Sequence, residues 1–202
     1  DSTNQKIIIA YKDEGNSNYG TAVVGTVSGT SISFGSAVVF ESAATQFIAS
    51  TYDSTSEKVV VAYTDATNSG YGTAIVGTVS GTSISFGSAT VFESANTGDI
   101  SAAYDANSGK VVVSYFDSAN SSYGTAVVGT VSGTSISFGS ATVFNAGTSD
   151  NMAVVYDANA QKIVIPYTDT ANSNYGTLVV GTISGTSISF GAETVFEAAT
   201  AT

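Results

Sequence analysis

The chain of 202 residues is 43 % apolar but only 10 % charged, and it contains no His, Cys, Trp or Arg. Sixteen carboxylates against five lysines give a net charge of −11, so we expect no binding to nucleic acids or to anionic lipid headgroups. Without His or Cys, the chain lacks the usual base for a Ser or Cys nucleophile and the usual ligands of structural zinc. We therefore expect a protein that is not an enzyme.

The same sequence repeat of 52 residues occurs four times. The heptapeptide Gly-Thr-Ser-Ile-Ser-Phe-Gly marks the repeat and begins at Gly29, Gly81, Gly133 and Gly185. The tripeptide Tyr-Gly-Thr has the same spacing and begins at Tyr19, Tyr71, Tyr123 and Tyr175. Regular periods of this length are typical of propellers, solenoids and repeat arrays. No apolar run approaches the roughly 20 residues of a membrane-spanning helix, so we expect no membrane insertion.

Four β-strands are predicted in each repeat, and the second repeat shows them in chain order. The first strand covers 47–52. The second covers 58–64, where the apolar run Val59-Val60-Val61 is typical of a strand buried on both faces. The third covers 71–79, and Ser80-Gly81 after it predicts a tight hairpin turn. The fourth runs from 82 toward 92, because Ile84 and Phe86 alternate with serines.

Four antiparallel strands per repeat, joined by short loops, predict an all-β fold, a β-propeller of four blades. The alternatives are a slice of a larger propeller and a β-solenoid array, although solenoid coils are usually shorter. A single repeat domain covers 1–202, divided approximately into 1–46, 47–98, 99–150 and 151–202. Asp1 aligns with Asp53, so we expect the first repeat to lack its first strand. We also expect equivalent burial between blades of Phe34, Phe86, Phe138 and Phe190.

The chain resembles known β-propeller families in plan. Tyr104-Asp105-Ala106 followed by Lys110-Val-Val-Val113 is similar to the inner hairpin of a hemopexin-like blade, and hemopexin-like propellers also have four blades. The aromatic signatures of hemopexin repeats are missing, and no His is available to bind haem. Sialidase propellers need an arginine cluster, which this chain lacks. Lectin propellers with near-identical blades are similar as well, and that resemblance implies repeated sugar-binding sites.

The loop between the second and third strands carries an aspartate, an asparagine and a tyrosine in every repeat. These candidate ligand-binding residues are Asp13, Asn16 and Tyr19, Asp65, Asn68 and Tyr71, Asp117, Asn120 and Tyr123, and Asp169, Asn172 and Tyr175. Carboxylates and amides can hydrogen-bond to vicinal hydroxyls while a tyrosine offers a ring face, so the pattern favours a neutral glycan. Asp, Asn, Ser and Gly are also the residues that turns require, so a purely structural interpretation stays open.

Two further observations bear on this candidate site. Asp and Asn oxygens are also calcium ligands, but no twelve-residue calcium loop is present, so we assign no cofactor and no metal. The start of the first strand differs between repeats, at 45–47, 97–99 and 149–151, and in a propeller it lies at the same end as the loop. Variation at that end makes it the better candidate for a site.

The sequence leaves two functions open. The first is an extracellular or surface-associated binding module that recognises a neutral glycan or another cell-surface polymer. Each repeat would offer one weak site, and repetition would raise the avidity. The alternative is a structural repeat or spacer of a fibre, filament, adhesin or phage tail, whose partners are further copies of the repeat.

Overall fold

The computed structural model describes residues 1–201, and within them the protein is all-β, which confirms that part of the fold prediction. The strands form one 17-stranded sheet in which the pairings are antiparallel. The helical elements of the described residues are three single 3-10 turns, at Glu14–Asn16, Ser118–Asn120 and Thr170–Asn172. None of them is long and apolar enough to cross a membrane.

The strands fall into four units, one for each repeat. The first unit comprises β1 (Ile7–Asp13), β2 (Tyr19–Ser28), β3 (Ser31–Phe34) and the first half of β4 (Val38–Asp53). The second comprises the rest of β4, β5 (Lys58–Asp65), β6 (Tyr71–Ser80), β7 (Ser83–Phe86) and the first half of β8 (Thr90–Asp105). The third comprises the rest of β8, β9 (Lys110–Asp117), β10 (Tyr123–Ser132), β11 (Ser135–Phe138) and most of β12 (Thr142–Asp150). The fourth comprises the end of β12, β13 (Val155–Asp157), β14 (Lys162–Asp169), β15 (Tyr175–Ser184), β16 (Ser187–Phe190) and β17 (Thr194–Thr200).

The predicted fourth strand of each repeat is split in two. In the second unit, β7 pairs with the last residues of β6, whereas β8 pairs with its first residues. Residues 87–89 between the two pieces are not in a strand. Both pieces therefore lie along one edge of β6, and β5 pairs with the other edge. The other units repeat this arrangement.

Two long strands each belong to two units. β4 pairs with β2 as far as Ala44 and with β5 from Thr45 onward, so one continuous strand ends the first unit and begins the second. β8 joins the second and third units in the same way. The prediction of two separate strands is wrong here, because no turn interrupts the chain at the crossing points. Thr45 and Thr97, which lie at these crossings, are fully buried.

The hydrophobic core lies between successive units, in three clusters. The cluster between the first two units contains Val24 and Phe40 from the first and Val61, Tyr63 and Ile84 from the second. Equivalent residues fill the clusters at the next two boundaries. β5 is buried along almost its whole length, as its apolar run predicted, because a unit packs against each of its faces. Each fully buried Val or Ile contributes about 1.5–3 kcal/mol.

The four units form an open array. β1 pairs with β2 and β17 pairs with β15, and within residues 1–201 no pairing joins β1 to β17. The outward faces of the first and fourth units carry exposed apolar side chains. A closed ring of four blades is therefore not observed.

The expectation that four phenylalanines are equally buried between units is wrong. Phe34 is exposed, because it lies on the outward face of the first unit, whereas its counterparts Phe86, Phe138 and Phe190 are half-buried against the clusters. The phenylalanines that are buried more deeply are Phe40 and Phe144. Phe40 packs between two rings of the second unit, with centroids 5.3 Å from Tyr63 and 5.6 Å from Phe86.

Candidate functional site

Each candidate aspartate begins the turn after a strand, and its Oδ1 accepts hydrogen bonds from that turn. Asp13 accepts from Gly15 N (3.1 Å), and Asp117 accepts from Ala119 N (3.0 Å). Asp65 accepts from Thr67 N (3.1 Å), Thr67 Oγ1 (2.8 Å) and Asn68 N (3.1 Å). Asp169 accepts from Ala171 N (3.1 Å) and Asn172 N (3.2 Å). Such bonds give the backbone of a tight turn partners that it would otherwise lack. One oxygen of every candidate carboxylate is therefore engaged in the fold.

The candidate asparagines and tyrosines occupy different parts of the loop. The asparagines are exposed within the turn: Asn16, Asn68, Asn120 and Asn172. The tyrosines are half-buried, and each pairs in register with the aspartate of its own loop: Tyr19, Tyr71, Tyr123 and Tyr175. The structure thus brings Asp and Tyr together where each hairpin closes and leaves Asn within the turn. In the first three loops the groups available to a ligand are the second carboxylate oxygen, the amide and the tyrosine ring, whereas the carboxylate of Asp169 in the fourth loop is buried.

The inner strands, meaning the second halves of β4 and β8 together with β13, begin beside these loops. Thr45 N donates a hydrogen bond to Asn18 O at 3.0 Å, and Thr97 N donates to Gly70 O at 3.0 Å. The variable starts of the inner strands and the Asp/Asn loops therefore lie at the same end of the array, as the sequence predicted.

Phe47, Asp99 and Asn151 hold the same position in successive repeats, and all three have a left-handed backbone, with φ of 45°, 48° and 53°. The pairing register skips from Gln46 to Ala49 in β4, and an equivalent skip occurs in β8. A non-glycine residue in this conformation costs on the order of 1–3 kcal/mol, and such strain clusters at binding and catalytic sites. This end of the inner strands is therefore a candidate site in its own right.

An open cavity of about 440 Å³ lies between β1 and β4, and its lining residues are Ala10, Tyr11, Lys12, Gln46, Phe47 and Ile48. Phe47 is held by Phe116, which meets it edge to face at a centroid distance of 6.4 Å. The cavity offers aromatic surface, an amide and an ammonium group, which suits a small neutral polar ligand. The variability of 45–47 indicated this end of the inner strand, but no sequence pattern singled out Tyr11 or Lys12.

The corresponding positions of the later repeats carry acidic and amide groups instead. Asp99 Oδ2 accepts a hydrogen bond from Asn151 N at 2.9 Å. Burial, and then the nearby charge of Asp99, raise the pKa of Asp150. The strand starts thus differ in chemistry from one unit to the next, so a ligand at this end would not find four equal sites.

Metal binding finds no support among the residues that the structure describes, where no group of three or more His, Cys, Asp or Glu is placed to hold an ion. The chain matches no protein-family model, and comparison with curated proteins finds no relative.

Proposed function

We propose that this protein is a structural repeat module, a rigid, non-enzymatic spacer of a surface fibre, filament, adhesin or phage tail. The observation that carries the proposal is the placement of the core, which lies between repeats as three successive clusters. Repeats that bury their apolar faces against each other form an array whose stability comes from nearest-neighbour contacts. The loop aspartates support the same proposal, because their Oδ1 atoms stabilise turns.

The finer architecture that we propose is a slice of a larger β-propeller. Every unit is built of antiparallel strands, and in the second and third units one strand, β5 or β9, is buried along most of its length. Successive units pack face to face, which is the plan of neighbouring blades. A parallel solenoid would instead need parallel pairing between coils, and the pairings found here are antiparallel.

A spacer must hold its ends at a constant separation, and that property can be measured. The chain has no native cysteine, so Ser31→Cys and Ser187→Cys place two spin labels at equivalent exposed positions of the first and fourth units. Dilute monomer should give one narrow distance distribution by pulsed electron resonance. The control pair Ser135→Cys and Ser187→Cys spans adjacent units only. A broad distribution for the outer pair beside a narrow one for the control would contradict a rigid array.

A second candidate function is recognition of a neutral glycan, and the cavity beside Phe47 favours it. Tyr11 and Phe47 supply ring faces and Gln46 supplies a donor and an acceptor for hydroxyl groups. A neutral ligand fits best, because a chain with a net charge of −11 repels anions.

Titration with neutral oligosaccharides, followed by nuclear magnetic resonance, separates the possible binding sites. Phe47→Ala removes an exposed ring from the cavity, whereas Asp65→Ala, Asn68→Ala and Tyr71→Ala together remove one loop constellation. Loss of binding in the first variant alone would assign the glycan to the cavity. Loss of about one quarter of the sites in the second would assign it to the loops. Absence of binding to the wild-type protein would leave the structural function as the better proposal.

A further inference from the structure

The outward face of the first unit is made of positions that later units bury. Ile9 is 40 % exposed, whereas the equivalent residues Val61, Val113 and Ile165 are all 0 % exposed. Ile32 is 44 % exposed, whereas Ile84, Ile136 and Ile188 are 3–4 % exposed. The later residues are covered because a preceding unit packs on them. The first unit therefore presents an uncovered copy of a surface that is otherwise an interface.

The outward face of the fourth unit shows the opposite half of that interface. Val180 is 41 % exposed, whereas its equivalents Val24, Val76 and Val128 are 0 % exposed beneath the following unit. Phe196 is 59 % exposed, whereas Phe40 and Phe144 are 7 % exposed. A set that no neighbour covers serves as a control, because its exposure stays at 41–44 % in all four units: Val39, Val91, Val143 and Val195.

The two outward faces are complementary because every boundary inside the chain joins this same pair of faces. The boundary between the first two units places Val24 and Phe40 against Val61 and Ile84. At the ends of the array, Val180 and Phe196 correspond to the first set, and Ile9 and Ile32 to the second. Because the side chains and the backbone are nearly the same, two repeats can make this contact whether they belong to one chain or to two. Exposed apolar surface of this kind marks an interaction site.

A glycine at the boundary shows how closely the units approach. A Cβ on Gly35, Gly87 or Gly139 would overlap the carbonyl oxygen of a threonine in the next unit, so these positions must be glycine. The fourth member of the series, Gly191, lies on the outward face, and the nearest atom to a Cβ there is Val180 O at 3.8 Å. The fourth unit therefore has the open space that the backbone of a following unit needs.

Polar groups at the two ends also match those of the first two internal boundaries. Tyr63 donates to Glu41 across the first boundary at 2.9 Å, and Tyr115 donates to Glu93 across the second at 3.3 Å. The corresponding residues at the ends of the array are Tyr11 on the first unit and Glu197 on the fourth. Joining the ends would give each of them the partner that its counterpart has.

We propose that the fourth unit of one chain docks on the first unit of a second copy of this chain, head to tail, in the register that joins neighbouring repeats. This proposal rests on the structural function proposed above and names its partner. A head-to-tail contact is heterologous, so it produces a closed ring where the rotation closes and a filament where it does not.

Two residues of the fourth unit should make the contact between two chains weaker than the contact between two repeats of one chain. Leu178 and Pro166 stand where the second unit has the buried residues Ala74 and Ala62. Larger side chains at a tightly packed position force their neighbours apart. Leu178→Ala should therefore tighten the association.

Sedimentation velocity over a range of protein concentrations tests the proposal. The wild-type chain should form species larger than the monomer as concentration rises. Gly191→Val should weaken this association at least tenfold, because its side chain occupies the space of the incoming backbone. Leu178→Ala should strengthen it, and the control Val195→Ser, on a surface exposed in every unit, should leave it unchanged. A wild-type chain that stays monomeric throughout, or association that Gly191→Val does not affect, would overturn the proposal.

A mixing experiment establishes the polarity of the contact and does not depend on one variant. Ile9→Asp blocks the face of the first unit and Gly191→Val blocks that of the fourth, so neither should associate alone. Their mixture keeps one intact face of each kind and should form a 1:1 dimer that grows no further. Failure of the mixture to dimerise, with both variants folded by circular dichroism, would overturn head-to-tail docking. The distance between the spin labels in dilute monomer reports separately on the spacer function.

Discussion

The Tyr63 hydroxyl donates a hydrogen bond to Glu41 Oε2 at 2.9 Å, across the boundary between the first and second repeats. Burial first, and then the Glu41 carboxylate, raise the pKa of Tyr63, so the hydroxyl keeps its proton and remains a donor. At the third boundary the position of Glu41 is held by Asn145, whose amide donates to Ser149 Oγ instead. The equivalent Tyr167 hydroxyl is buried and makes no well-formed hydrogen bond within residues 1–201, although burial, and then the nearby Glu193 carboxylate, raise its pKa.

This difference predicts unequal effects of removing the two hydroxyls. Tyr63→Phe should lower the free energy of unfolding by about 1.5 kcal/mol, the magnitude of a hydrogen bond to a charged group. Tyr167→Phe should lower it by less, because the lost hydroxyl makes no well-formed hydrogen bond and its neighbouring carboxylate, Glu193, is exposed. Urea denaturation of dilute protein measures both. Equal losses in the two variants would show that the Tyr63–Glu41 bond contributes nothing measurable.

Equivalent isoleucines on the outward and inner faces give a second matched pair. Ile165→Ala should cost about 2–5 kcal/mol, because it leaves a cavity in the third cluster. Ile9→Ala, at the equivalent exposed position, should cost less than about 1 kcal/mol in the monomer. Chemical denaturation measures both variants. A large loss for Ile9→Ala in dilute protein would mean that its face is already covered in solution.

The boundary glycines predict a backbone clash at internal positions. Gly87→Ala should destabilise the protein by at least about 1–3 kcal/mol, because its methyl group would meet the Thr134 carbonyl oxygen of the next unit. Gly191→Ala should have little effect on the monomer, because the position is open. Thermal unfolding of the two variants measures the difference. If both changes are tolerated equally, the approach between units is looser than described.

The loop aspartates predict a loss of stability that the loop asparagines do not share. Asp65→Ala removes the acceptor of two backbone N–H groups and of the Thr67 hydroxyl, and should cost about 1 kcal/mol. Asn68→Ala changes an exposed side chain and should stay within about 0.5 kcal/mol. The measurement is thermal unfolding in the absence of sugar. If Asp65→Ala unfolded at the same temperature as the wild type, the carboxylate would not stabilise the turn as its hydrogen bonds indicate.

Local patterns in the sequence predicted the local structure well. The run Val59-Val60-Val61 indicated a strand covered on both faces, which is found. Ser80-Gly81 indicated a tight hairpin turn, and the turn is found one residue later, at 81–82, because Ser80 still pairs with Ser83. Each depends on a few adjacent residues and on the burial or conformation that those residues favour. The adjacency of the Asp/Asn loops to the starts of the inner strands followed from strand order alone, and the Thr45–Asn18 contact confirms it.

Relations between units could not be predicted in this way. The merging of the fourth strand with the next first strand in β4 depends on pairing with two different units at once. Closure of the ring depends on the small rotation between units, which no local pattern encodes. The exposure of Phe34 follows from the open end of the array and not from its own strand, because Phe86 lies in an identical heptapeptide and is half-buried.

Acidification should stabilise the fold between neutral pH and about pH 5. The pKa of Glu93 is raised by burial first and by the charge of Asp117 second. The pKa of Asp150 is raised by burial first and by the charge of Asp99 second. Because the folded state binds these protons more tightly than the unfolded chain, the stabilising contribution is complete below the ordinary carboxyl pKa of about 4 and is lost as pH rises through the raised values.

The hydrogen bond from Tyr115 opposes the shift at Glu93, so Tyr115→Phe should raise that pKa further and steepen the rise in stability on acidification. Glu93→Gln should make the rise shallower, because the amide does not titrate. Urea midpoints at several pH values measure these slopes. A wild-type stability that falls steadily from pH 7 to 5, or a Glu93→Gln slope equal to that of the wild type, would contradict the assignment of this carboxyl group.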